Sequence, residues 1–255
     1  KYGVKNIILN DINKKVINFY ETVYQNPNAL INEYERLELE FAPHIPHEYI
    51  EKNKIKDKVE IKNLLISANE FYLNVRKEFN ESTHDNPRSA ALFLFLQTHC
   101  FNGVYRENQK GGYNTPFNWG LKKYNKDKTQ EKIMEVHKVF KEFNITFTNK
   151  SYNQINFYDS EALYYVDPPY INNEDEIKEN KYHKDGFNND DQLMLINLLK
   201  ESSFIYSNHN HPLLIDELKM ISPDIMIQEV SRKNIMSASN ESRKVDKTEI
   251  LVSHP

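Results

Sequence analysis

The sequence predicts an α/β protein built on a doubly wound sheet, into which a mainly helical region carrying a β-hairpin is inserted after the first strand and helix. Three observations support this. Short apolar runs that stop at an acid or a turn alternate with amphipathic stretches. Residues 29–100 carry helical stripes instead. Half of the six glycines crowd into residues 101–117, around a Gly-Gly pair.

Taken in order, Lys5-Asn6-Ile7-Ile8-Leu9-Asn10-Asp11-Ile12-Asn13 reads as a short buried strand ending in an acid. Lys14 to Tyr24 follows, with Val16, Ile17, Tyr20 and Val23 at helical spacing. In doubly wound nucleotide-binding sheets an acid after the second strand hydrogen-bonds the ribose hydroxyls, and Asp11 is the candidate. The competing reading makes Asn10 or Asp11 the cap of the helix, and the two roles are compatible.

Leu64, Leu65, Ala68, Phe71, Tyr72 and Val75 form one helical stripe, and Ala91, Leu92, Phe95, Leu96 and Cys100 another; both read as core. Residues 43–58, with Pro43, Pro46 and many charges, read as an exposed or mobile connection. The hairpin segment runs from Phe101 to Phe117 and closes the inserted region at about residue 120. In it Arg106, Lys110 and the amides Asn102, Asn108 and Asn114 alternate with aromatic residues. Such a ribbon fits a DNA major groove, where arginine reads guanine and asparagine reads adenine, although a lone segment of this kind is more often a plain surface hairpin.

A helix over 128–142 then leads to a strand, Asn144 to Thr148, and to the polar stretch Asn149-Lys150-Ser151-Tyr152. Glu161 to Val166 reads as a buried strand of a parallel sheet, and Asp167-Pro168-Pro169-Tyr170 stands where it runs out. Further strand and helix units follow through Phe204–Tyr206, Leu213–Met220, 225–229 and 248–252.

An acid, two prolines and an aromatic ring at a strand end suit methylation of a nucleobase amine. The lone pair of that amine is delocalised into the ring, so a catalyst must draw it back onto nitrogen. The Asp167 carboxylate and the Pro168 carbonyl supply two acceptors for the amino hydrogens. Pro168 and Pro169 fix φ, so both acceptors are held before the substrate arrives. Tyr170 offers a stacking face for a base turned out of the duplex. The bland alternative is a strand-ending loop in which Asp and Pro serve as turn formers.

Composition bounds the partners. The 255 residues carry a net charge of −4, so a DNA-binding protein of this balance concentrates its positive charge on one face. Candidate clusters are Arg106 with Lys110, Lys122-Lys123 with Lys126 and Lys128, and Arg232-Lys233 with Arg243-Lys244. A single cysteine, Cys100, excludes an internal disulfide and any cysteine-based zinc site, and it reads as a buried helix residue. The nine histidines show no paired metal-ligand spacing, and His209 and His211 read as satisfied loop positions. With no signal peptide or apolar span in view, the expectation is an intracellular, reducing compartment without membrane contact, in a prokaryote or a virus-infected cell.

With these segments in this order, the chain resembles the Dam-type, D12-class (alpha group) DNA adenine-N6 methyltransferases. In that family the cofactor half comes first, the target-recognition region second and the Asp-Pro-Pro-Tyr motif last. Tyr182-His183-Lys184-Asp185-Gly186-Phe187 with Asp190, Asp191 and Leu193, then Ser207-Asn208-His209, and then Ser239 to Val245 with Glu249-Ile250-Leu251, are similar to its later segments.

The resemblance implies a Rossmann-like AdoMet-dependent methyltransferase sheet, S-adenosyl-L-methionine as methyl donor with no metal, and double-stranded DNA as partner. It implies Asp167, Pro168, Pro169 and Tyr170 as the catalytic loop around a flipped adenine, with Asp11, Asp167, Ser151 and Tyr152 on the cofactor. It further implies Asn102, Val104, Arg106, Asn108, Lys110, Asn114, Pro116, Arg243 and Lys244 on the DNA. Arg106 falls where close members contact guanine, and Val104 and Pro116 where apolar contacts to thymine are expected; GATC is the commonest target there. The implied organisation is a catalytic part at 1–28, a target-recognition region at 29–120 and the rest of the catalytic domain at 121–255. A monomer is the favoured state.

One departure stands out. Family members begin with a Phe-x-Gly-x-Gly loop after the first strand, and here the only glycine before Gly103 is Gly3. The expectation is that the first strand and glycine loop precede Lys1, and that the chain as written binds S-adenosylmethionine weakly or not at all. Three alternatives stay open: an amino-methyltransferase acting on cytosine N4, RNA or protein, a catalytically silent DNA-binding relative, and a structural or scaffolding role, which nothing specific favours.

Overall fold

The protein is described by a computed structural model covering residues 3–120, 125–171, 186–233 and 246–255. It forms two compact units, Lys1–Lys150 and Ser151–Pro255.

In the first unit, strand β1 (Asn6–Asn10) pairs in parallel with β2 (Asn144–Thr148), in register from Asn6↔Asn144 to Asn10↔Thr148. Between them in sequence come α1 (Lys14–Gln25), α2 (Pro27–Phe41), α3 (His47–Lys52), α4 (Lys58–Leu64), α5 (Ile66–Glu81), α6 (Pro87–His99) and α7 (Lys126–Phe140). Asparagines start several of these helices. Asn13, Asn86 and Asn125 each accept a backbone N–H of the first turn, and Pro27 and Pro87 occupy first positions where a missing N–H costs nothing. Around α6 a single core gathers Leu30, Tyr34 and Phe41 of α2, Tyr72 and Phe79 of α5, and Leu92, Phe95 and Leu96 of α6 itself. Phe41, Phe95 and His99 form edge-on and tilted ring contacts at 4.5–5.1 Å. His99 Nε2 also meets the buried Glu38 carboxylate at 2.8 Å.

Both helical stripes face inward as expected, Leu64 and Phe71 only partly buried, with two adjustments. Leu65 is the hinge between α4 and α5, so the first stripe spans two helices; Cys100 lies one residue beyond α6, in a bridge to Phe117. The region 43–58 is exposed over most of its length, as expected, but it also holds a 3-10 turn (Ala42–His44) and α3 and buries Ile45 and Ile50. Pro43 and Pro46 sit at helix starts, where proline nucleates a turn, so they initiate structure here.

In the second unit, β3 (Leu163–Val166), β4 (Ser203–His209), β5 (Met226–Lys233) and β6 (Asp246–His254) form a mixed sheet of order β3-β4-β6-β5. Strand β3 runs parallel to β4, while β6 is antiparallel to both neighbours. Helices α8 (Asn189–Leu198) and α9 (Pro212–Ile221) pack on each other, and Leu195, Ile196, Leu199, Phe204, Tyr206, Leu214, Leu218, Ile250 and Val252 make the core.

The mixed α/β class is as expected, but the described strands form two sheets and not one. The apolar runs of β1 and β3 predict burial, but among the described residues each strand has one neighbour and one uncovered face, on which Ile8, Leu163 and Tyr165 are 64–70% exposed. Among the described residues, no helix is long and apolar enough to cross a membrane.

Candidate active site

The loop Asp167-Pro168-Pro169-Tyr170 leaves the end of β3, and β4 and α8 grip it from the second unit's core. Ser207 Oγ on β4 donates to Asp167 Oδ1 at 2.7 Å and fixes the orientation of an otherwise exposed carboxylate. Asn208, fully buried, accepts the Ile171 N–H at 2.9 Å, and His209 Nδ1 donates to the Ile171 carbonyl at 2.7 Å. Gln192, on the buried face of α8, donates to the Pro169 carbonyl at 2.6 Å. Its Oε1 accepts from the Tyr206 hydroxyl and from Asn208 Nδ2. Asn208 Nδ2 also donates to Tyr206 Oη at 2.7 Å. Every member of this buried polar cluster is thus engaged, which orients both carboxamides and pins the backbone after Pro168.

Tyr170 is half-buried, with its ring edge-on to His209 at 5.0 Å. Burial is the main cause that raises its hydroxyl pKa, and Asp167 and Glu249 add to it, so the ring stays neutral. His211 caps α9 by accepting the Leu213 N–H. Both histidines of this turn therefore hold structure, as their loop setting suggests. No group of metal-binding side chains occurs among the described residues.

Asp11 follows β1. Asn13 is the helix cap, which removes the reading of Asn10 or Asp11 in that role. Asp11 Oδ1 instead accepts the Asn13 N–H at 2.7 Å, and Asn149 Nδ2 donates to the carbonyls of Asp11 and Ile12. The acid is thereby presented, half-buried, at the carboxyl end of a parallel strand pair. Ser151 caps a 3-10 turn (Tyr152–Gln154) reciprocally with Gln154. The Tyr152 hydroxyl donates to Asp191 at 2.8 Å; burial first, and that carboxylate second, push its pKa up to about 12.

The ribbon 101–117 is a hairpin tied by bridges at Cys100↔Phe117 and Glu107↔Tyr113 rather than by long strands. Its turn spans Asn108 to Gly111, with Gly111 at φ 78°, so the first glycine of the pair supplies the left-handed residue that a tight hairpin needs. Side chains alternate. Tyr113, Thr115, Phe117 and Glu107 are buried, whereas Asn102, Arg106, Asn108, Lys110 and Pro116 are exposed, with Val104 and Asn114 partly so. All seven expected DNA contacts of the ribbon therefore lie off its buried face. Two of the amides are already engaged: Asn108 Oδ1 accepts two turn N–H groups, and Asn114 Oδ1 takes Arg106 Nε at 2.9 Å.

Lys126 pairs with Glu35 at 3.1 Å, which neutralises part of its cluster. Lys122, Lys123, Tyr182 to Asp185, Arg243 and Lys244 lie outside the described residues.

Two groups of residues carry no clear signal of a site role in the sequence. Ser207, Asn208 and His209 matched a family segment without a role, and Gln192 had only its spacing with Leu195, Ile196 and Leu199 as a signal. Lys15 and Glu107 form the other group, and the signal was a charge at an inward position of the ribbon.

Comparison with known proteins adds to this geometry. The family model of the D12 class N6 adenine-specific DNA methyltransferases matches residues 1–243. The chain is 28% identical, over 99% of its length and 81% of the relative's, to the type II methyltransferase M.MjaIII of Methanocaldococcus jannaschii. It is 32% identical to a DNA adenine methylase of Vibrio cholerae, covering 80% of this chain and just under two thirds, 65%, of that protein. To a DNA adenine methylase of Serratia marcescens it is 31% identical, over 82% of this chain and 69% of the relative.

Proposed function

We propose that this chain, which belongs to the D12 class of N6 adenine-specific DNA methyltransferases, transfers a methyl group from S-adenosylmethionine to N6 of an adenine turned out of duplex DNA. The observation that carries the reading is the Asp167-Pro168-Pro169-Tyr170 loop, whose carboxylate is held by Ser207 and whose backbone is held by Gln192 and Asn208.

In this reading Asp167 and the Pro168 carbonyl each accept a hydrogen bond from the amino group, which localises the lone pair on N6. As N6 bonds to the methyl carbon the carbon–sulfur bond would break with its electron pair going to sulfur, and the proton N6 then sheds would pass by way of Asp167 to solvent. The network around Pro169 and Ile171 keeps these acceptors from reorganising, and such fixed dipoles lower a barrier where mobile ones do not. Tyr170, neutral and half-buried, stacks on the adenine. Asp11 fits the ribose hydroxyls, because a carboxylate at the carboxyl end of a parallel strand is the acceptor such a hydroxyl pair needs. Ser151 and Tyr152 complete the cofactor side. When bound, S-adenosylmethionine supplies a methyl group already activated by its sulfonium.

Residues 29–120 form the recognition region within this reading, and the ribbon 101–117 enters the target site. Arg106, braced by Asn114, reads guanine; Asn102, Asn108 and Lys110 face the DNA beside it, and Val104 and Pro116 make apolar contacts to thymine. Arg243 and Lys244 contact phosphates. GATC is the proposed target, and a monomer acting within a cell on double-stranded DNA is the proposed working form.

Sequencing modified bases in unmethylated DNA exposed to the full-length protein and S-adenosylmethionine tests substrate and site together. N6-methyladenine confined to GATC is expected. N4-methylcytosine, or methyl groups confined to RNA, overturns the reading; N6-methyladenine at another sequence overturns the target alone.

A further inference from the structure

A cluster that the proposed chemistry does not use joins the loop of Asp11 to the ribbon. Lys15 is the second residue of α1, and its side chain is only 12% exposed. Its ammonium has three close acceptors: Glu107 Oε1 at 2.7 Å, the Gly111 carbonyl at 2.9 Å and the Tyr105 hydroxyl oxygen at 3.1 Å. Tyr105 in turn donates to Glu107 Oε1 at 2.5 Å, and the Glu107 side chain is 4% exposed. Three donors meet three acceptors drawn from the first limb of the hairpin and its turn.

The arrangement is unusual on two grounds. A cation in the first turn of a helix opposes the helix dipole, and α1 begins with Lys14 and Lys15 and has no acid there. A buried ion pair is also a weak source of net stability, since apolar side chains of similar volume fill such a space at least as well. Its geometry is more telling. The Lys15 N–H donates to Asn13 Oδ1, and the Asn13 N–H donates to Asp11 Oδ1, so Asp11, Asn13 and Lys15 form one stitched turn. At the other end, the two residues that Lys15 grips by their side chains, Tyr105 and Glu107, flank Arg106, whose side chain lies on the opposite, exposed face. The Asp11 turn and the residues flanking Arg106 are thus joined by a short chain of part-buried polar contacts.

We propose that Lys15 is a positioning residue that couples occupancy of the Asp11 side of the cofactor site to the set of the DNA-reading ribbon, an inference that rests on the function proposed above. Cofactor bound at Asp11 orders the turn, the turn fixes Lys15, and Lys15 fixes the register at which Arg106 meets a base. Linkage makes the effect reciprocal, so the cognate duplex tightens cofactor binding by the same factor.

The test uses the full-length protein and a labelled duplex carrying its mapped methylation site, with Kd measured in the presence and absence of S-adenosylhomocysteine. The parent protein is expected to bind the duplex roughly tenfold more tightly with S-adenosylhomocysteine present, within the usual range of such couplings. In Lys15→Met and Glu107→Gln this ratio is expected to fall to about one, and the double variant is expected to be no lower than either single, because both remove one contact. Should Lys15→Met fail to fold by circular dichroism, Glu107→Gln, which keeps volume and loses charge, carries the comparison. A ratio preserved in either folded variant overturns the proposal, as does a parent that binds both partners with no coupling. A parent that binds neither partner overturns the methyltransferase reading itself and the proposal with it.

Discussion

Residues with one charged atom in the right place dominate the chemistry, and their neighbours decide whether that atom is usable. Asp167 is exposed yet not loose, because Ser207 holds one of its oxygens. Asp11 is tied to its own turn by Asn13 and not spent as a helix cap. A different kind of control acts on His84, which sits at φ 54° beside Phe79. Burial lowers its pKa from 6.5 to about 4, with the cations Lys15 and Lys14 adding to the effect and Asp85 and Glu107 opposing it. Between those two pH values the unfolded chain binds the extra proton and the folded chain does not, so acidification favours unfolding there. The stabilising contribution is complete above about pH 6.5 and is lost as the pH falls towards about 4. Thermal melts at pH 7 and pH 4.5 should therefore show a smaller drop in Tm for His84→Asn, which tolerates the positive φ, than for the parent. Equal drops would remove His84 from the account. Most of these catalytic candidates were legible in the sequence because an acid at a strand end is a local signal. Ser207 and Asn208 had no such signal, since their function depends on β4 lying beside β3.

Elements translate those residues into positions. The ribbon 101–117 shows how far sequence reading reaches: its alternation puts Arg106 and Pro116 outward and Tyr113, Thr115 and Phe117 inward, and the spacing alone indicates both faces. The same alternation marks Glu107 as an inward charge, and an inward charge requires a partner. That the partner is Lys15, more than ninety residues away in sequence, becomes visible only once α1 packs beneath the ribbon. At 43–58 the exposure was legible and the short helix was not, because proline at a helix start nucleates a turn. In α8, Gln192 occupies a core position on the helix stripe and holds the Pro169 carbonyl. Gln192→Leu leaves that carbonyl, Tyr206 and Asn208 short of a partner, at a cost of about 1–3 kcal/mol each before relaxation. The expected result is a lowered Tm together with a lower kcat at nearly unchanged duplex Kd. An unaltered kcat in a folded variant would show that the network supports the fold and not the catalytic loop.

At the scale of the whole molecule, the described chain resolves into two compact units, each with its own core and its own strands, in place of the single sheet that alternating segments suggest. Strand identity was readable from apolar runs; strand order was not, because edge and interior strands differ in what lies beside them and not in their own residues. Ile8, Leu163 and Tyr165 are exposed because one face of each of their strands is uncovered among the described residues, which an apolar run does not reveal. The D12-class family model spans residues of both units, and the proposed roles give Asp11 the cofactor and Asp167 the base. That claim is tested most directly by nucleoside mass spectrometry of duplex DNA after incubation with S-adenosylmethionine and the full-length protein, parent and Asp167→Ala in parallel. The account predicts N6-methyladenine from the parent, a loss of at least about 10²–10³-fold in rate for Asp167→Ala, and duplex binding retained in both. N6-methyladenine formed at the parent's rate by Asp167→Ala would contradict it.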